Sequence, residues 1–224
     1  MSDNLPQIPP RDQPLSERFA YYKRQVESNG GTVGTERPTV LGLRGLAPDG
    51  RRHDSNENIG PYNDTFVIME QRPDGEQQLH ELPGSTHAGQ KSSSISPGGV
   101  AQIRPGSFLC HPNGHHNSMP SWHIRMPNDS GRIPAWRDIN KNGYISESEK
   151  RRAEDNNVVA TEILFHNGVN TDHGRSIGCQ TLAPRVMAQM VDILGEDQTF
   201  HFTLIDANRP TPGETAPTRA RERT

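Results

Sequence analysis

Basic charge is in short supply in this chain of 224 residues: 24 lysines and arginines face 27 acidic residues, for a formal net charge of -3. Aromatic residues make up only 5%. A phosphate backbone is held by clustered basic charge and its bases stack on aromatic rings, so nucleic acid is excluded as the expected partner. Cysteine is scarcer still. Cys110 and Cys179 stand alone, too few for a disulfide framework, and each is expected as a free thiol. No window approaches the roughly 20 apolar residues that cross a bilayer, and the opening MSDNLPQIPPRDQP lacks both the basic and the apolar regions of a secretory signal. The expectation is a chain with no membrane partner. Hydrophobic residues are 30% of the total, mean hydropathy is -0.85, and Gly (21) and Pro (19) are abundant, which predicts one modest core carrying much loop.

The Pro-rich, polar ends, residues 1–14 and 208–224, are expected as disordered tails. Phe19, Tyr22 and Val26 recur at i, i+3 and i+7 behind Ser16 as a cap, which predicts a short amphipathic helix within a helix-and-linker segment 15–37. From residue 38 to 207 the pattern is β-rich. TVLGLRG reads as a strand, and DTFVIME and QQLHEL flank the turn residues Pro73, Asp74 and Gly75 as a hairpin. VAQIRPGSFL reads as a strand broken at Pro105, and the stretch from there to Ala135 has no clear period. NVVATEILFH reads as one buried strand ending at His166. Pro184 opens a helix carrying Met187, Met190, Val191 and Leu194 on one face and closed by Gly195, and TFHFTLID is the last strand. The predicted fold class is mainly β, a β-rich α+β body with a few short helices.

EILFHNGVNTDHGRSIGCQTL places a strand-terminal His166 ahead of a glycine-flanked Cys179. A thiol is a nucleophile as thiolate, and a histidine, a cation or a helix N-terminus lowers its pKa from about 8.5. His166, Arg175 and the helix near Pro184 are the candidates for those roles. Backbone N–H groups at Gly178 and Cys179 are candidate donors to the oxyanion of an acyl-transfer intermediate. His173 is an alternative base, and Asp172 or the Asn167 carbonyl an alternative orienter of His166. Because His precedes Cys, the order is not that of papain-like peptidases. His166, Gly168, Ser176, Gly178 and Cys179, a strand–His–x–Gly followed by Ser-x-Gly-Cys, resemble the catalytic motif of the YkuD-type L,D-transpeptidases over roughly residues 158–206. Ile177 stands where that family carries a second histidine, and Gln180 and Thr181 replace its hydrophobic-Arg pair. The resemblance implies a sandwich- or barrel-like β fold in which His166 is the base and Cys179 the nucleophile. It also implies peptidoglycan stem peptides as substrate, joined or cleaved through a thioacyl intermediate by transpeptidase or carboxypeptidase action.

DINKNGYISESE, residues 138–149, matches the EF-hand loop D-x-[DN]-x-[DN]-G with a terminal glutamate. Asp138, Asn140 and Asn142 would offer side-chain oxygens, Tyr144 its carbonyl, Ser146 its hydroxyl or a bridging water, and Glu149 both carboxylate oxygens. Pro134 forbids an entering helix, so this is a solitary loop whose Ca2+ would be structural. His111, His115, His116 and His123 beside Cys110 form a second candidate, for zinc, without the H-E-x-x-H or C-x-x-C frame. A cell-wall substrate without a signal segment suggests action outside the cytoplasm by a specialised route, as a toxin-like effector or phage protein, with secretion machinery or an immunity protein as partners. A cytoplasmic protein is the alternative. Two other functional classes remain open: a non-enzymatic, calcium-stabilised binding or structural module, and a zinc-dependent cell-wall peptidase.

Overall fold

The computed structural model describes residues 5–56, 62–88, 98–169 and 176–210. It is mainly β. Helix α1 (Leu15–Ser28) precedes strands β1 (Thr39–Arg44), β2 (Asp64–Gln71), β3 (Gln77–Gly84), β4 (Ala101–Ile103), β5 (Gly106–His116), β6 (Met119–Arg125) and β7 (Ile133–Arg137). Helix α2 (Glu147–Asp155), β8 (Val159–Ala160), β9 (Leu164–Asn167), β10 (Gln180–Leu182), helix α3 (Pro184–Leu194) and β11 (Phe200–Asp206) complete it. Eight strands form one sheet in the order β10-β9-β6-β5-β11-β1-β2-β3, and β4-β7-β8 form a smaller one. Just past β3, Ser85 bridges to Thr181 in β10, with Ser85 N–H to Thr181 O at 2.7 Å and the reciprocal bond at 2.9 Å. The two edge strands of the large sheet thus meet, and it curls into a nearly closed barrel.

Strand β1 runs parallel to β11 and antiparallel to β2, and all six of its residues are buried. A strand buried on both faces needs apolar residues at every position, which TVLGLR nearly supplies. Its neighbours divide by pleat. Val40, Phe66, Ile68, Phe202 and Leu204 face the barrel interior with Cys110, Trp122, Ile124, Phe165 and Leu182, and α3 adds Met187, Met190 and Leu194. Leu41, Leu43, Val67, Met69 and Ile205 face outward and are covered by Phe19, Tyr22 and Val26 of α1. Tyr22 and Arg18 both donate to Glu81 Oε1 at 2.7 Å, fastening α1 to β3. Trp136, Ile145 and Ala153 make a third, small cluster between β7 and α2.

Four sequence expectations are corrected. Ser16 lies inside α1, whose cap position is Pro14, without a side-chain capping bond; proline pre-sets the backbone there and needs no hydroxyl. Residues 5–14 are laid against α1: Gln7 N–H donates to Tyr21 Oη at 2.7 Å, and Ile8 packs on the outer core. The expected strand NVVATEILFH is two strands in two sheets, β8 pairing with β7 and β9 with β6 and β10. Glu162, with φ 55, makes the break in a left-handed conformation that no glycine signals. The featureless region after Pro105 holds the long hairpin β5–β6, turned at Asn117 and Ser118, both with positive φ. That is the geometry of a two-residue hairpin turn, built here on Asn-Ser instead of the usual Asn-Gly. Residues 1–4 and 211–224 of the expected tails lie outside the described residues.

Candidate active site

Parallel pairing of β9 with β10 sets Thr181 beside His166 and Gln180 beside Phe165. Side chains alternate faces along a strand. Phe165 and Leu182 point into the interior core, so His166 and Thr181 point to the other face, and Cys179, two residues before Thr181, joins them. The same alternation runs on through β6 and β5. His123 pairs with Leu164 and His111 with His123 on the His166 face, while Cys110, Trp122 and Ile124 are core. One face of the sheet therefore carries Cys179, His166, His123 and His111, and the β5–β6 hairpin brings His116 against His166 with ring centroids 4.3 Å apart and the rings tilted by 54°.

His166 is buried, and its Nδ1 lies 2.7 Å from the Asn167 carbonyl. A carbonyl only accepts, so Nδ1 carries the proton and Nε2 keeps its lone pair. Burial first, and His116 to a lesser degree, push the His166 pKa down to about 4 against the pull of the Asn167 carbonyl. The ring is neutral over the ordinary pH range. Asn167 Nδ2 in turn donates to Asn117 O at 3.3 Å, tying the end of β9 beside His166 to the hairpin turn. Tyr62 Oη donates to Val169 O at 3.0 Å, and a Cβ on Gly168 would fall 2.0 Å from that hydroxyl oxygen. A side chain at position 168 would have to displace the Tyr62 hydroxyl.

Cys179 Sγ accepts from Leu164 N–H at 3.4 Å and lies 3.8 Å from the Glu162 carbonyl. No hydrogen bond joins it to His166 among the described residues. Burial raises the thiol pKa, and the Leu164 N–H and Ser176 only partly offset it. The pair at rest is a neutral thiol just before β10 and a neutral imidazole on the adjacent β9. Ser176 organises the turn: its Oγ accepts from Gly178 N–H at 3.0 Å and Cys179 N–H at 2.6 Å and donates to Cys179 O at 3.1 Å. The two amides expected as oxyanion donors are therefore held by Ser176 and become available only when its side chain turns away. A Cβ on Gly178 would lie 3.1 Å from Ala101 Cβ and 3.2 Å from Ile163 Cδ1, so glycine lets the turn pass under β4. Helix α3 begins after β10, so its N-terminus does not adjoin the thiol. Arg175, His173 and Asp172 lie outside the described residues.

In the loop 138–149, Asp138 accepts from Asn142 N–H at 3.1 Å and Gly143 N–H at 2.7 Å. Glu149 accepts from Ile139 and Asn140 N–H through Oε1, and from Ser146 through Oε2 while closing a capping box on α2. Asn140 and Asn142 Oδ1 accept from Asn142 and Tyr144 N–H. The oxygens converge with loop N–H groups as partners, and Ile145 N–H to Asn56 O at 2.9 Å ties the loop to the body. Expected zinc ligands in the histidine stretch are dispersed: Cys110 is core, His115 is exposed, and His111 and His123 form a cross-strand pair. Among the described residues the group of three or more metal-binding side chains is a different one, His53, Asp64 and His87. These come from separate segments with no shared motif spacing, so no local pattern marks them. His116 was visible as a histidine, but its contact with His166 depends on the hairpin register.

No helix among the described residues is long and apolar enough to cross a membrane. The fold and this face define a class: a small, mainly β protein with a barrel-like sheet carrying a Cys–His face. Comparison of the chain with protein-family models, with curated proteins and with solved structures returned no match.

Proposed function

We propose that the chain is a cysteine-dependent acyl transferase or hydrolase of the L,D-transpeptidase type, acting on peptidoglycan stem peptides outside the cytoplasm. The observation that carries this reading is the His166 hydrogen bond to the Asn167 carbonyl at 2.7 Å. It leaves Nε2 as a neutral base on the face that also holds Cys179. Nε2 takes the thiol proton as Sγ attacks the substrate carbonyl. Turning of Ser176 releases the Gly178 and Cys179 amides to the oxyanion. The carbonyl–nitrogen bond then breaks, the leaving amine takes the proton from His166, and a thioester to Cys179 remains. An incoming amine or water gives its proton to His166 and takes the acyl group, regenerating the thiol. Asn167 positions the base and Ser176 the nucleophile turn. The exposed Ile177, where the family carries histidine, offers the substrate an apolar contact. Calcium in the loop 138–149 would be structural, bracing the segment that leads through α2 to β9.

The test is incubation of wild type, Cys179→Ala and His166→Ala with purified muropeptides, followed by mass spectrometry of products. Wild type is expected to yield crosslinked or trimmed peptides and both variants none. Identical product patterns from all three would refute the reading.

A further inference from the structure

We propose that His53, Asp64 and His87 form a binding site for a divalent transition metal of the zinc class, separate from the Cys–His face. His53 Nε2 lies 3.0 Å from Asp64 Oδ1 and His87 Nε2 lies 3.2 Å from Asp64 Oδ2. The three ligand atoms all fall within 4.8 Å of one another. Zinc sits about 2.0–2.2 Å from nitrogen and oxygen ligands, so the edges of its coordination polyhedron are roughly 3–3.5 Å. The His53 Nε2–Asp64 Oδ1 pair has that spacing, and His87 Nε2 closes on the same carboxylate. Asp64 is fully buried and His87 is 2% exposed, and the Asp64 carboxylate is what both Nε2 atoms face, with no other hydrogen-bond partner for either. The ring nitrogens converge on the carboxylate. A metal set between the rings and the carboxylate accepts a lone pair from each ring nitrogen.

The surroundings fix the ligands as an outer shell does. Asp64 Oδ1 accepts from Gly45 N–H at 2.8 Å, and Oδ2 accepts from Thr86 N–H and Thr86 Oγ1, both at 2.7 Å. Oδ2 is thereby filled, and Oδ1 keeps a lone pair for the ion. Buried Arg44 holds Thr86 through its hydroxyl at 2.9 Å and its carbonyl at 3.0 Å. His87 Nδ1 lies 2.9 Å from Gln102 Nε2, while Gln102 Oε1 is buried without a partner. With metal on Nε2, His87 carries its proton on Nδ1, and turning the Gln102 amide sets Oε1 to accept it, at the expense of the bond from Gln102 Nε2 to Ser55 O. Two imidazoles and one carboxylate suit Zn2+ and its first-row neighbours, whereas Ca2+ takes oxygen ligands alone. The His53 side chain, 18% exposed, is the solvent side, and three protein ligands leave a coordination position there for water.

The experiment uses the full chain, stripped with a chelator and titrated with Zn2+ by calorimetry, with metal content measured after desalting and Co2+ absorption as a coordination probe. Wild type should bind one Zn2+ per chain and rise in Tm with it. His53→Ala, at the solvent edge, should keep its fold by circular dichroism and lose affinity by more than about 10-fold, the loss that even an outer-shell change produces; His87→Ala should behave likewise. His111→Ala and His115→Ala should bind as wild type does. Equal binding by wild type and His53→Ala, no zinc binding by folded wild type, or loss of zinc in His111→Ala overturns the site, and metal content is read without substrate, independently of acyl transfer.

Discussion

At the scale of single residues, the chemistry turns on which protonation states burial favours. His166 has its pKa pushed down to about 4 by burial, below the ordinary value near 6.5. Between those two values the unfolded chain binds a proton that the folded chain refuses. Stability from this residue is therefore fully present above about pH 6.5 and is lost as pH falls toward 4, by on the order of 3 kcal/mol. Urea denaturation at pH 7 and pH 4.5 should show wild type losing more stability than His166→Gln; equal losses contradict the buried, neutral ring. The same state governs catalysis: the acidic limb of kcat/KM should lie near pH 4, and a limb near 6.5 would mean a solvated base. Ser176 holds three backbone groups of the nucleophile turn, two of them donors that need an acceptor. Ser176→Ala should lower stability by about 1–3 kcal/mol, read by thermal melting, and a variant as stable as wild type would contradict this role.

At the scale of elements, periodicity announced what it could. Alternation in DTFVIME and QQLHEL around Pro73, Asp74 and Gly75 gave the hairpin β2–β3, and the spacing of Phe19, Tyr22 and Val26 gave the buried face of α1. Phe19 is 1% exposed, so Phe19→Ala should cost about 3–5 kcal/mol, measured by denaturant unfolding; a loss under 1 kcal/mol would detach α1 from the core. Elements set by backbone conformation at non-glycine residues stayed hidden. Glu162, Asn117 and Ser118 adopt positive φ, and with them go the split between β8 and β9 and the β5–β6 hairpin that carries His116 to His166. His166, Ser176 and Cys179 were legible because a local motif holds them, and even the Asn167 carbonyl was open to sequence reasoning. His53, Asp64 and His87 were not, since only the tertiary path joins them. The loop 138–149 is an element whose oxygens are already shared with its own N–H groups. Bound calcium predicts a lower Tm in EGTA than in excess Ca2+, and an unchanged Tm removes calcium from the account.

At the scale of the whole molecule, closure of the sheet is what links the parts. Ser85 bonds to Thr181, so the strand that leads to His87 and the strand that follows Cys179 are one hydrogen-bonded step apart across the seam. The barrel interior is apolar, and Cys179, His166, His123 and His111 lie on the opposite face of β5, β6, β9 and β10, with α1 covering the outer face on the far side. The central proposal is that Cys179 becomes acylated on that face. Intact-protein mass spectrometry after brief exposure to a stem tetrapeptide tests it most directly. The account predicts an acyl adduct on wild type that maps to Cys179, accumulates when acceptor amine is withheld, and is absent from Cys179→Ala and His166→Ala. Turnover of the peptide by Cys179→Ala, or an adduct mapping to another residue, would contradict it.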